Sequence, residues 1–170
     1  MKLIKGFIIA IIGLFIMITL ISLLIPSKVM VARGVVINIP AEKVFPEISK
    51  LSNWKKWQPV LKGDSVKVSY NADSSSCQWE TNGKLNTLVI DSAKDNAVYV
   101  SLQRKGETDV KNVLVILPLS DSSAVQVEWR AVTKLKWYPW EKFYGIFIDK
   151  LSGPGYDAAL KSLKEYVEKN

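Results

Sequence analysis

Three patterns of apolar and polar positions divide the chain. From Gly6 to Ile25 there is no charged residue, and Ile, Leu and Phe occupy every face of a helix drawn through the run. From about Val29 to Thr133, short segments alternate between apolar and polar residues and are separated by turn-forming clusters. From Trp137 to Val167, apolar positions recur at helical spacing. The order predicts an apolar helix, then a sheet, then a helix that covers the sheet.

The first run spans residues 6–25. At ~1.5 Å per residue it reaches ~30 Å, the thickness of a bilayer's hydrocarbon core. Its polar side chains, Thr19 and Ser22, can bond back to helix carbonyls. A cleaved signal peptide is the alternative. The run is longer than a usual signal-peptide core, however, and Leu24-Ile25-Pro26-Ser27-Lys28 offers no small-x-small cleavage site. A core helix of a soluble domain would carry a polar face, which this one lacks. Residues 1–27 are therefore expected to be a transmembrane anchor and residues 28–170 one further domain. Lys2, Lys5 and the α-amino group precede the span, and Lys28 and Arg33 follow it. That small excess favours a cytoplasmic N-terminus, a cell-membrane location and an extracytoplasmic domain.

In the second region, Val29–Ile39 reads as a strand with Val29, Val31, Val35, Ile37 and Ile39 on one face, interrupted by Arg33. Pro40-Ala41-Glu42 opens a helix carrying Val44, Phe45 and Ile48 on one stripe. A second short helix, capped by Ser52 or Asn53 and stopped by Pro59, places Trp54 and Trp57 on a shared face. Strands are then expected over 65–70, 77–81, 85–91, 97–104, 110–117 and 124–133. Between them lie turn clusters, among them Asn82-Gly83, Lys94-Asp95-Asn96, Lys105-Gly106-Glu107 and Pro118–Ser123. In the last region Trp140, Phe143, Tyr144, Phe147 and Leu151 form one helical stripe. Gly153-Pro154-Gly155 is expected to break the helix. Tyr156, Ala159, Leu160, Leu163 and Val167 form a second stripe, with Lys161, Lys164, Glu165 and Glu168 opposite. The expected fold is α+β, with a curved antiparallel sheet of about seven strands wrapped on the C-terminal helix. A cavity is expected between the two.

Composition narrows the chemistry. The 170 residues include no histidine and one cysteine, Cys77. The commonest general base and zinc ligand are thus missing, no intramolecular disulfide is possible, and no metal or cofactor is expected. Acid–base work would fall to carboxylates, Lys or Tyr. Glu80, Glu128 and Arg130 alternate against Trp79 and Trp129, so they are expected to point outward. Of 23 basic residues two, Lys2 and Lys5, precede the span, leaving 21 against 16 acidic, or about +5. These charges are scattered and suit a surface near anionic lipid; no nucleic-acid motif is present. Cys77 shares a face with Trp79 and reads as a small buried residue.

The aromatic residues are many for so small a domain. Trp54, Trp57, Trp79, Tyr99, Trp129, Trp140, Phe143, Tyr144 and Phe147 are expected to line the cavity, against the alternative that they fill an ordinary core. Trp137 and Tyr138, beside Lys134 and Lys136, form a pattern suited to a membrane interface.

Two stretches carry a family resemblance. Ile37-Asn38-Ile39-Pro40-Ala41-Glu42-Lys43-Val44-Phe45, followed by Trp54-Lys55-Lys56-Trp57-Gln58-Pro59, resembles the opening of START-like (SRPBCC) proteins of the polyketide cyclase/dehydrase and lipid-transport group. Gly155-Tyr156-Asp157-Ala158-Ala159-Leu160-Lys161-Ser162-Leu163-Lys164 resembles that group's closing helix, with Ala159 where glycine is common. The resemblance covers about residues 29–169 and extends to single-span members. It implies a helix-grip fold with a cavity for apolar or amphipathic ligands, and it does not imply one reaction. The expected function is a membrane-anchored binding domain for a lipid or other hydrophobic small molecule, with residues 6–25 in the bilayer. The alternatives are a cyclase- or hydrolase-like enzyme using a cavity carboxylate or tyrosine, and a protein-interaction module.

Overall fold

The computed structural model describes residues 2–63, 66–119 and 123–170. An N-terminal helix α1 (Lys2–Leu23) precedes strand β1 (Lys28–Ile37). Three short helices follow: α2 (Ala41–Ser49), α3 (Leu51–Trp57) and α4 (Pro59–Lys62). Six strands come next: β2 (Ser69–Tyr70), β3 (Ser76–Thr81), β4 (Lys84–Lys94), β5 (Ala97–Arg104), β6 (Val110–Pro118) and β7 (Val125–Lys134). Helix α5 (Pro139–Val167) ends the chain's regular structure.

All seven strands form one antiparallel sheet, in the order β1-β7-β6-β5-β4-β3-β2. The meander β2 to β7 follows from its turns. Asn82 (φ 52°) with Gly83 (φ 71°), and Asp95 (φ 53°) with Asn96 (φ 59°), hold the two left-handed residues that a tight hairpin of matching twist requires. β1 then pairs with β7 along its whole length, with Arg33 opposite Trp129. This is the expected helix-grip arrangement.

The core lies at one end of the sheet. Val44 and Ile48 of α2, Leu51, Trp54 and Trp57 of α3 and Leu61 of α4 pack on Val98, Val100, Leu114, Ile116, Val125 and Val127 of the sheet and on Leu160 and Leu163 of α5. Both α3 indoles also have their N–H satisfied. Trp54 Nε1 donates to Ile48 O at 2.9 Å and Trp57 Nε1 to Glu47 O at 3.1 Å. Buried indoles with no spare donor hold the short helices in place.

Several local expectations are corrected. Pro59 ends α3 but also opens α4, because proline is well placed in a first turn; Gln58 is its cap. Neither Ser52 nor Asn53 caps α3. Lys50 occupies that position without a side-chain bond, and Asn53 Nδ2 donates instead to Pro46 O at 3.0 Å. The strand expected from Ser65 is paired only at Ser69 and Tyr70, and Ser65 itself lies outside the described residues, as do Ser120–Ser122 of the turn before β7. The apolar helix ends at Leu23, and Leu24 and Ile25 continue it as turns bonded to Ile21 O and Ser22 O.

The largest correction concerns Gly153-Pro154-Gly155, through which α5 runs unbroken. Arg33 clamps this stretch from outside. Its guanidinium bonds Asp149 at 2.9 and 3.0 Å and Asp157 at 3.1 Å, one carboxylate on each side of the proline. A Cβ on Gly153 would lie 2.1 Å from Arg33 Nη2, so the glycine is there for close approach.

Candidate functional site in the cavity beneath the C-terminal helix

Beyond the core α5 stays seated on β1, and two adjoining chambers open between it and the rest of the sheet. The inner one, about 250 Å³, is walled by Trp54, Trp79, Leu88, Trp129 and Tyr156, with Asn112 on its floor. The outer one, about 290 Å³, lies between Val29, Val31, Ala131 and Leu135 on the sheet side and Tyr144 and Ile148 on the helix side. Leu102, Arg104, Ser152 and Tyr156 border both chambers. Each volume lies just below the usual range of ligand pockets, and the two chambers share four lining residues.

Strand alternation positions the lining. Trp79, Leu88, Leu102 and Trp129 share the inward parity of their strands with buried neighbours. The Trp129 ring meets Trp54 edge-on at 5.5 Å and Tyr156 at 5.1 Å. Its Nε1 donates to Asn112 Oδ1 at 3.0 Å. Arg104 Nε donates to Asn86 Oδ1 at 2.8 Å, and its Nη1 lies 3.6 Å from Glu107 Oε2. A mostly apolar chamber thus has polar groups on its lining at Arg104, Asn112, Gln58 and Ser152, with Asn86 behind Arg104 holding its Nε. Burial raises the Tyr156 hydroxyl above its ordinary pKa, against an opposing pull from Arg104, so it stays a neutral hydrogen-bonding group at physiological pH.

The residues picked out from sequence divide into three sets. Trp54, Trp79 and Trp129 line the inner chamber and Tyr144 the outer one. Trp57 stands behind the wall, fully buried, with its ring 5.0 Å from that of Trp54. The other aromatic residues are not brought to the cavity. Tyr99 is 42% exposed on the sheet's outer face, because Val98 and Val100 take the inward positions on either side of it. Trp140, Phe143 and Phe147 are exposed on the side of α5 that faces away from the sheet. Trp137 is also exposed, and Tyr138 stacks on Trp140 with centroids 5.0 Å apart. Lys134 and Lys136 border the outer chamber, where the Lys136 N–H donates to Glu141 Oε2 at 2.7 Å.

Sequence reasoning missed Tyr156, Arg104, Asn86 and Asn112. A signal existed: Asn86 precedes Leu88, and Asn112 precedes Leu114, on inward-facing parities where a polar residue is out of place.

The titratable groups fall as the alternation implies. Glu80 is exposed, and Glu128 pairs outward with Arg130 at 2.9 and 2.7 Å. Among the described residues no carboxylate lines the inner chamber. The outer one is bordered by Glu141 and by Glu107, which is held by Lys84 at 2.8 Å. Cys77 is buried, and burial pushes its thiol up to about 11, which keeps it protonated and unreactive.

No family model matches the chain, and no curated protein matches it. Solved structures do. A START superfamily protein from Mycobacterium smegmatis superposes with a TM-score of 0.63 at 20% identity, over 83% of this chain and 98% of that one. Protein XoxI from Bacillus cereus gives 0.62 at 14%, over 83% and 97%. A protein of unknown function from Staphylococcus aureus gives 0.63 at 13%, over 84% and 94%. Through these likenesses the chain is shown to have the START-like helix-grip fold.

Proposed function

We propose that this protein is a membrane-anchored binding domain for a hydrophobic or amphipathic small molecule of the lipid class, held between the sheet and α5. The observation that carries this reading is the inner chamber: indole and leucine walls, a few polar groups at Arg104, Asn112, Gln58 and Ser152, and no carboxylate lining among the described residues. Such a site needs no reacting group to be useful, since each CH₂ it takes from water contributes ~0.8 kcal/mol before the costs of association. The cavity's place between sheet and long helix matches what START-like resemblance implies. Helix α1 is the anchor. Its 21-residue stretch Leu3–Leu23 has a mean hydropathy of 2.8 and is almost entirely unburied by the rest of the chain. The charge balance around it favours an extracytoplasmic domain.

The test is native mass spectrometry of the full chain released from detergent, with extraction and identification of any bound molecule. A stoichiometric lipid-like adduct, lost in a Leu88→Phe variant that narrows the inner chamber, is expected. An empty protein that also takes up no fluorescent fatty acid overturns the proposal.

A further inference from the structure

Helix α5 changes the side on which it is apolar. At 100° per residue, Tyr156, Ala159, Leu160, Leu163 and Val167 point toward the sheet and the short helices, and all are at least half-buried. Trp140, Phe143, Phe147 and Leu151 lie roughly half a turn away from that direction and are exposed, Trp140 at 63% and Leu151 at 60%. What the first half turns toward the rest of the domain is mostly small or polar, Lys142, Gly145, Asp149 and Gly153, with Ile148 and Tyr144 beside the outer chamber. Lys142 is 2% exposed, Gly145 fits against Leu135 and Val29, and Asp149 and Gly153 meet Arg33. A contiguous row of large apolar side chains on a helix already seated by its opposite face is a surface built for an occupant.

The join between α1 and α5 says which occupant. Lys142 Nζ donates to Ile25 O at 2.8 Å and Ser27 Oγ at 2.6 Å, and the Leu135 N–H donates to Ser27 O at 2.8 Å. α1 packs against α5, and the residues of its last turns shielded from solvent are Ile18, Thr19 and Ser22. The start of α5 is therefore pinned beside the end of the apolar helix, at the level where that helix leaves the bilayer. Length then sets a condition on the orientation. Trp140 to Leu151 extends ~17 Å along the helix, whereas the headgroup layer of one leaflet is only about 5–7 Å deep. All four side chains meet lipid only if this half of α5 lies along the membrane surface.

We propose that residues 137–151 lie in the plane of the bilayer interface, with Trp137, Trp140, Phe143, Phe147 and Leu151 set among headgroups and upper acyl chains. Lys150, next to this row, and Lys28 at the start of β1 suit anionic headgroups. The inference rests on α1 being in the membrane. It adds a second contact, which fixes the domain's attitude and keeps the outer chamber, bordered by Tyr144, beside the lipid.

The test uses the full chain in nanodiscs of mixed zwitterionic and anionic lipid, with Cys77→Ala and single nitroxide labels at Ile12, Trp140, Phe147, Leu151 or Glu165. Labels at 12, 140, 147 and 151 are expected to collide with oxygen several-fold more than with a water-soluble nickel chelate, and the label at 165 to do the reverse. If 147 and 151 behave like 165 while 12 stays in lipid, the interfacial helix is wrong and the anchor stands. Spin–spin broadening at 147 and 151 that vanishes on dilution with unlabelled chain identifies a second copy as occupant and overturns the proposal. A water-exposed label at 12 removes the anchor and this inference together.

Discussion

Arg33 and Asp149 meet face to face, with guanidinium nitrogens 2.9 and 3.0 Å from the two carboxylate oxygens, and this pair joins the inner face of β1 to the middle of α5. Arg33 interrupts an otherwise apolar row, and Gly153 leaves the space for it. The two positions are therefore coupled. Gly153→Ala is expected to lower stability in the native background, where the new methyl displaces the guanidinium. In an Arg33→Ala background the same change is expected to raise stability by about 1 kcal/mol, the ordinary helix preference for alanine. Chemical denaturation of the four members of the cycle checks this; an equal effect in both backgrounds would contradict it.

The same pair gives an acid dependence. Arg33 holds the Asp149 carboxyl below its ordinary value of 3.8. A carboxylate depressed in the folded state contributes stability that is complete above the unfolded value and is lost as pH falls through the folded one. Glu107 and Glu128, depressed by Lys84 and Arg130, act in the same direction. Because Asp149 is exposed and Arg33 only partly buried, the contribution is modest. Arg33→Ala is expected to flatten the acid limb of stability below 3.8 and to leave its neutral slope unchanged, as followed by thermal melts across pH.

Asn112 has a structural duty as well as a place on the chamber floor. Asn112→Leu leaves the Trp129 indole N–H buried without its acceptor. A loss of ~1–3 kcal/mol is expected, together with a change in tryptophan emission. Unchanged stability would mean that the indole finds another partner.

Cys77 is expected to resist thiol reagents in the folded protein at neutral pH and to react only on global unfolding. Burial both shields it and raises its pKa to about 11. Labelling at the rate of a free cysteine would show that the β2–β3 end of the sheet opens locally.

Most of the fold was legible because strand alternation and turn residues are local signals. Asn82-Gly83 and Asp95-Asn96 fixed two hairpins, and parity alone put Trp79 and Trp129 inward and Glu80, Glu128 and Arg130 outward. Tyr99 was misplaced because its aromatic character outweighed its parity, although Val98 and Val100 already claimed the inward face. The remaining errors have a different origin. A helical stripe at Trp140, Phe143 and Phe147 is visible in sequence, but periodicity does not say which side of a helix meets the sheet. Gly153-Pro154-Gly155 looks like a break, and Arg33, which clamps the helix there, comes from far away in the chain. Arg104 sits at a strand end, where a charged residue carries no signal in the sequence.

The central claim is that the inner chamber takes an apolar chain. The most direct test uses a Trp137→Phe, Trp140→Phe variant of the full chain, whose remaining tryptophans, Trp54, Trp57, Trp79 and Trp129, are all buried in or behind the chamber wall. A brominated fatty acid is titrated against it in nanodiscs. Saturable quenching, abolished by Leu88→Phe, is the expected result. Quenching that is absent, or that rises without saturation and ignores Leu88→Phe, would contradict a ligand-binding cavity.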